Sequence, residues 1–197
     1  MATNTYCWFA LVAIFGAILS ISSPAEGLGT VYDIDVNKYV GTWYNMYTNF
    51  WADLFAGTNG AECTTAEYQK ISETNVTVFN AYSVRGGRSD TIEGYAYIPF
   101  PSLEPGRLLV RLEGVPLATP YFIIKLGPIV NDQYEYSIVT DPAAAALFVL
   151  ARDPANFDIK YDAEVREYLL VTGFTSPNTQ PVRVYHGDDC TYFSPRA

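Results

Sequence analysis

Few side chains in this sequence carry the means for chemistry. The one histidine, His186, precedes Gly187-Asp188-Asp189, an imidazole beside two carboxylates. Three candidate ligands crowded into a glycine-bearing polar stretch suit a solvated turn better than a metal site, which gathers ligands from fixed, separated positions. No metal site is expected. No serine, and neither Cys63 nor Cys190, stands in a pattern that pairs a nucleophile with a base. Gly86-Gly87 and Gly57-x-x-Gly60 lack the lysine and hydroxyl residue of a phosphate-binding loop and read as turns. Arg85, Arg88 and Arg107 read as surface charge. No catalytic residue is assigned, no cofactor is implied, and an enzyme is not expected.

The cysteines speak to compartment instead. Cys63 and Cys190 most simply pair in an oxidising environment, the alternative being two free thiols. Such a bridge would close a loop of 127 residues. On a chain-entropy basis that contributes about 4–5 kcal/mol. Residues 8–22 form an uncharged apolar run followed by Ser23-Pro24-Ala25, a small-x-small pattern suited to signal peptidase. The run is shorter than the roughly 20 residues of a membrane span. Residues 1–25, with Cys7, are therefore read as a signal peptide, with an uncleaved anchor as the alternative, and residues 26–197 as one exported domain. Asn75-Val76-Thr77 is an acceptor triplet for N-glycosylation at Asn75. The formal net charge of −9 argues against nucleic acid or anionic lipid as an electrostatically held partner.

The elements that would position a site are strands. Segments rich in Val, Ile, Tyr, Phe and Thr, separated by Gly, Asn, Asp and Pro, run over 41–47, 64–71, 75–84, 91–99, 107–112, 121–125, 134–140 and 147–152. Short links join most of them, as in an up-and-down antiparallel meander. Eight strands is also the number at which a closed barrel can hold one small ligand. Two segments depart from the pattern. Residues 49–57 make a long apolar link carrying Phe50, Trp51, Leu54 and Phe55. Over 158–172, Tyr161, Val165, Tyr168, Leu169 and Thr172 recur at helical spacing, and Gly173 is placed to stop the helix. One amphipathic helix would thus pack outside the barrel, followed by a short closing strand at 181–185.

Residues 35–44, ending in Gly41-Thr42-Trp43-Tyr44, resemble the first lipocalin motif, a helical turn leading into Gly-x-Trp-Tyr. Leu147-Phe148-Val149-Leu150-Ala151-Arg152-Asp153-Pro154 resembles the third, whose arginine ends the eighth strand. The order of Cys63-Thr-Thr-Ala-Glu-Tyr68, Val78-Phe79-Asn80, Ile92-Glu93-Gly94 and Tyr121-Phe122-Ile123 is most similar to the apolipoprotein D-like branch. The second motif, usually Thr-Asp-Tyr between strands six and seven, is absent from 126–133. Thr140-Asp141-Pro142 lies one link later and is not counted as it.

The resemblance implies an all-β, eight-stranded up-and-down barrel with one helix outside, and a bridge from Cys63 to Cys190. A second bridge usual in that branch has no cysteines here. It also implies that Trp43 and Arg152 meet at the closed end and, with Gly41, form a structural floor. Alternation along the strands, counted from these anchors, turns Asn45 and Tyr47 inward on the first strand and Phe148 and Leu150 on the last. Tyr68, Val76, Val78, Asn80, Leu108, Val110 and Leu112 point inward by resemblance. An apolar, aromatic lining with few polar groups suits a small hydrophobic molecule with one or two polar ends. A lipid, a retinoid or carotenoid pigment, or a tetrapyrrole would be held as ligand, without chemistry. A packed core is the alternative reading of the same residues. The link at 49–57 caps the ligand, or makes the chain an interaction protein acting on a membrane, lipoprotein surface, receptor or partner subunit, or folds back as a local core. The residues state no oligomeric state.

Overall fold

The strand segments sort themselves by which face is apolar, and that sorting closes a barrel. The computed structural model describes residues 28–56, 58, 60–84 and 89–193. The expected signal segment, Gly57, Arg85, Gly86, Gly87 and Arg88 lie outside the described residues. Eight strands, β1 (Gly41–Thr48), β2 (Ala61–Lys70), β3 (Asn75–Val84), β4 (Ser89–Tyr97), β5 (Arg107–Leu112), β6 (Thr119–Leu126), β7 (Tyr136–Thr140) and β8 (Leu147–Ala151), pair antiparallel in chain order. β8 then pairs with β1 through Tyr44↔Ala151 and Asn45↔Leu150, which closes the ring. A ninth strand, β9 (Val182–Arg183), joins the upper half of β1.

The last strand shows why its sequence is apolar without interruption. Phe148 and Leu150 face the barrel interior, while Leu147, Val149 and Ala151 face a second core outside it. Both faces of β8 are covered, so alternation of polar and apolar residues has no reason to appear. The inner cluster gathers at the closed end around Tyr39, Trp43, Ile123 and Val139. The outer one lies between the wall and two C-terminal helices.

Those helices correct one expectation. The single helix anticipated over 158–172 is two, α3 (Pro154–Lys160) and α4 (Asp162–Val171). The start is earlier because Asp153 caps it, accepting from the Asn156 amide at 2.8 Å, and Pro154 occupies the first turn, where its missing N–H is harmless. Tyr161, at φ −122°, bends the chain between them. Val165 and Leu169 are fully buried against the wall, and Gly173, at φ +92°, ends α4 as expected. The strand expected over 134–140 is also divided. Asn131 and Asp132 adopt positive φ in a tight turn, so Gln133–Tyr134 pairs with Ile129–Val130 and β7 begins only at Tyr136.

Two shorter helices frame the barrel's ends. At the closed end α1 (Val36–Tyr39) is capped by Asp35, which accepts from the Asn37 amide at 2.9 Å. At the other end the apolar link folds as α2 (Phe50–Ala56). Asn49, fully buried, accepts from the Ala52 amide at 2.9 Å, the geometry of an N-cap. Its amide nitrogen donates to the Ala145 and Thr179 carbonyls, tying α2 to the β7–β8 link and to the tail.

Candidate functional site

The floor is built around one cation. The Arg152 guanidinium lies 3.6 Å from the centroid of the Trp43 ring and donates to the carbonyls of Lys38, Tyr39, Val40, Thr42 and Tyr134. Three of those carbonyls are at the C-terminal end of α1, where unsatisfied acceptors favour positive charge. Burial lowers the Arg152 pKa to about 10, which leaves it charged at neutral pH. The Trp43 indole N–H donates to the Tyr39 carbonyl at 2.8 Å. Gly41 holds φ +99°, and an added Cβ would stand 3.2 Å from Gln133 and 3.4 Å from Arg152. The link lacking the second motif still ties to the floor: Gln133 donates to the Val40 carbonyl, and Asp132 pairs with Lys38.

Above the floor the barrel encloses a cavity of about 1010 Å³. One water occupies about 30 Å³ of liquid, so this is room for a ligand and not a packing defect. Asn45, Tyr68, Val78, Asn80, Leu108, Val110, Leu112, Phe148 and Leu150 line it, as does Val76. Ala66 and Ala96, small residues on the same inner face, leave much of the space.

Tyr47 does not line it. The register of β1 against β8 shifts between Asn45 and Tyr47, so a bulge inserts one residue and reverses the faces beyond it. Tyr47 packs outside against Phe157, and its hydroxyl donates to Asp162 at 2.5 Å. Thr48 takes the inward place. Asn45 stabilises the bulge: with its amide oriented to satisfy its neighbours, it donates to the Tyr47 carbonyl at 2.9 Å and the Val149 carbonyl at 3.2 Å.

The mouth also differs from simple expectation. α2 lies across it with Ala52, Asp53 and Ala56 toward the cavity. Phe50 and Leu54, one turn apart, are each 46% exposed on the outer side, and Trp51 packs on Phe50. The side chain of Phe55 lies outside the described residues. Asp53 accepts from the hydroxyls of Thr48 and Thr58, and burial raises its pKa.

Tyr39 and Tyr121 are cavity residues that strand parity alone did not select. Tyr121 stands opposite Leu108 across β5 and β6, so parity carried over that hairpin would have found it. Tyr39 precedes β1 and owes its place to α1. With Tyr68 they bring three hydroxyls together low in the cavity: Tyr39 to Tyr121 at 2.8 Å, Tyr68 to Tyr121 at 3.2 Å, and Tyr39 to Ser137 at 3.0 Å. Burial pushes the Tyr39 pKa up to about 12 and raises those of Tyr68 and Tyr121, so all three are neutral donors.

The remaining sites lie on the periphery. Cys63 and Cys190 form a disulfide, with Cα atoms 5.5 Å apart, that fastens the tail to β2. His186 is not in a solvated turn: one ring nitrogen bonds the Asn45 carbonyl at 3.0 Å, the other the Tyr192 hydroxyl at 3.1 Å, and Tyr44 packs edge-on. Asn75 opens β3 and accepts from the Thr74 hydroxyl at 3.1 Å. Arg107 pairs with Glu104 and stacks on Phe122.

Residues 34–171 match the family model described as a lipocalin-like domain. The chain is 30% identical over 131 residues to the outer membrane lipoprotein Blc of Vibrio cholerae, covering 66% of this chain and 71% of that one. With Blc of Escherichia coli it shares 26% identity over 163 residues, 82% of this chain and 83% of the other. Among solved structures, lobster apocrustacyanin A1 superposes with a TM-score of 0.55 at 19% identity, covering 78% of this chain and 81% of that one.

Proposed function

The chain belongs to the lipocalin family, and on that premise we propose that it binds and carries one small hydrophobic molecule in the barrel, without chemistry on it. The cavity of about 1010 Å³ carries this reading. It lies at the upper end of the roughly 300–1,000 Å³ of small-molecule pockets, and its walls are mainly apolar. A lipid, a retinoid or carotenoid, or a tetrapyrrole belongs to the class that fits. Both cysteines of the described chain are joined to each other, which leaves no thiol there for covalent catalysis. Export of the domain is supported by the apolar run at 8–22 and by the disulfide. Membership of the apolipoprotein D-like branch rests on the order of its short motifs, and glycosylation on the triplet at Asn75.

Filling the space tests the reading. Ala96 is buried on the inner face between Val76 and Val110. With a lipophilic fluorescent dye, the wild type is expected to bind one equivalent, and Ala96→Trp to weaken binding tenfold or more while remaining folded. Absence of dye binding by the wild type would overturn the proposal, as would equal affinity in the variant. A packed core would instead resist the added volume, at about 1–3 kcal/mol of stability.

A second reading has its own observation. Phe50 and Leu54 present an apolar edge outward beside the mouth. Contact with a membrane or lipoprotein surface through α2 would let ligand pass without crossing water.

A further inference from the structure

The hydroxyl cluster low in the cavity has an imbalance that specifies a ligand. Ser137, Tyr39, Tyr121 and Tyr68 form a chain of four hydroxyls joined by three contacts. Each contact consumes one O–H, so one proton is left over with no acceptor among the described residues. Ser137 is fully buried and does not line the cavity, so a spare proton there would be stranded. The three tyrosines do line it, and the spare O–H therefore faces the cavity from one of them. Tyr68 ends the chain and receives the spare proton when all bonds run in one direction. A donor that itself accepts a hydrogen bond is strengthened by it.

An acceptor oxygen completes this cluster, and the surroundings decide its charge. Among the described residues no lysine or arginine lines the cavity, whereas Asp53, Asp90, Glu113 and Asp141 do. Arg152, half-buried in the floor, points its guanidinium at five backbone carbonyls, one from Nε, one from Nη1 and three from Nη2, and does not line the cavity. A carboxylate brought here would find one spare donor, acidic side chains along the wall and no cation pointing into the cavity among the described residues. Only the field of Arg152 behind Tyr39 and Tyr68 would offset its charge, which leaves it poorly compensated. An uncharged carbonyl oxygen needs only the one donor.

We propose that Tyr39, Tyr68 and Tyr121 form an anchor for the uncharged carbonyl oxygen at the end of a long lipophilic ligand, which enters carbonyl first. This rests on the carrier reading and names the ligand class of the same cavity. The apolar wall above the anchor takes the hydrocarbon, and the mouth meets the trailing end.

The test displaces a bound lipophilic dye with three molecules of equal chain length: a methyl ketone, the alkane and the fatty acid. In the wild type the ketone is expected to bind about five- to tenfold more tightly than the alkane, the worth of one buried hydrogen bond. The fatty acid is expected to bind more weakly than the ketone. In the triple variant Tyr39→Phe, Tyr68→Phe, Tyr121→Phe, which removes every hydroxyl of the chain that lines the cavity, the ketone-over-alkane preference should fall to about onefold. The carbonyl stretch of bound ketone, moved to lower frequency in the wild type, should return toward its apolar-solvent position in the variant, a change that a merely structural role would not produce. Equal ketone and alkane affinities in the wild type overturn the anchor alone. So does tighter binding of the fatty acid than of the ketone, or a preference that survives in the triple variant with the carbonyl stretch unmoved. Binding of none of the three overturns the carrier reading and the anchor with it.

Discussion

Trp43 and Arg152 show how much one contact can organise. A guanidinium over an indole contributes about 0.5–2 kcal/mol. Here the same cation also satisfies the carbonyl end of α1, and the indole N–H bonds the Tyr39 carbonyl. Removing the ring would open a void beneath the cavity and release Arg152 from its cover. Trp43→Ala is therefore expected to lose about 3–5 kcal/mol. For a chain of this size that lowers the melting temperature by roughly 10 °C, read by circular dichroism. Unchanged melting would mean that the floor is not where stability is concentrated.

Among the elements, β1 and α2 depart most from what their local sequences suggest. The bulge after Asn45 turns Tyr47 toward α3, where the Arg183 guanidinium also covers its ring at 5.2 Å. Three groups hold that bulge: the Asn45 amide, the His186 ring on the Asn45 carbonyl, and the Val184 amide on the Met46 carbonyl. In α2 an N-cap sets the helix and its 3.6-residue period then divides the faces, small residues inward, Phe50 and Leu54 outward. If the outer face meets lipid, Phe50→Ser with Leu54→Ser should cut partitioning to zwitterionic vesicles by about tenfold or more. Burial of two such side chains contributes on the order of 1.5–3 kcal/mol each. Equal co-sedimentation of variant and wild type would remove the second reading.

For the whole molecule, the C-terminal tail works as a strap. It pairs with β1 through β9, docks His186 on the bulge, and is joined to β2 through Cys190. Burial lowers the His186 pKa below its ordinary 6.5, with Arg183 adding to the shift and Asp158 opposing it. A lowered folded pKa means that the fold prefers the neutral ring. This contribution is complete above pH 6.5 and is lost as pH falls below it, when the unfolded chain takes up the proton first. Thermal stability is thus expected to fall between pH 7 and about 5.5 more steeply in the wild type than in His186→Asn. Parallel slopes in the two proteins would show that His186 does not couple the strap to pH.

What the sequence determined by itself was whatever depends on local period and on motif. The eight strands, the outer helical stripe of Val165 and Leu169, the Cys63–Cys190 pair and the meeting of Trp43 with Arg152 follow from alternation, spacing and family resemblance. Family resemblance made the inward face legible at Tyr68, Val78, Asn80, Leu108, Val110 and Leu112, all of which line the cavity. Asn49 and Asp153 were not singled out as caps, because each becomes one only once the helix it starts is known. Tertiary structure alone decided the rest. A bulge exists only relative to the partner strand, so no pattern within β1 could send Tyr47 outward. His186 looked solvated because the surface that receives it comes from β1, far away in sequence. The hydroxyl chain draws Tyr39 from a helix and Tyr68, Tyr121 and Ser137 from three strands. Only closure of the barrel brings those oxygens within hydrogen-bonding distance and leaves one proton over.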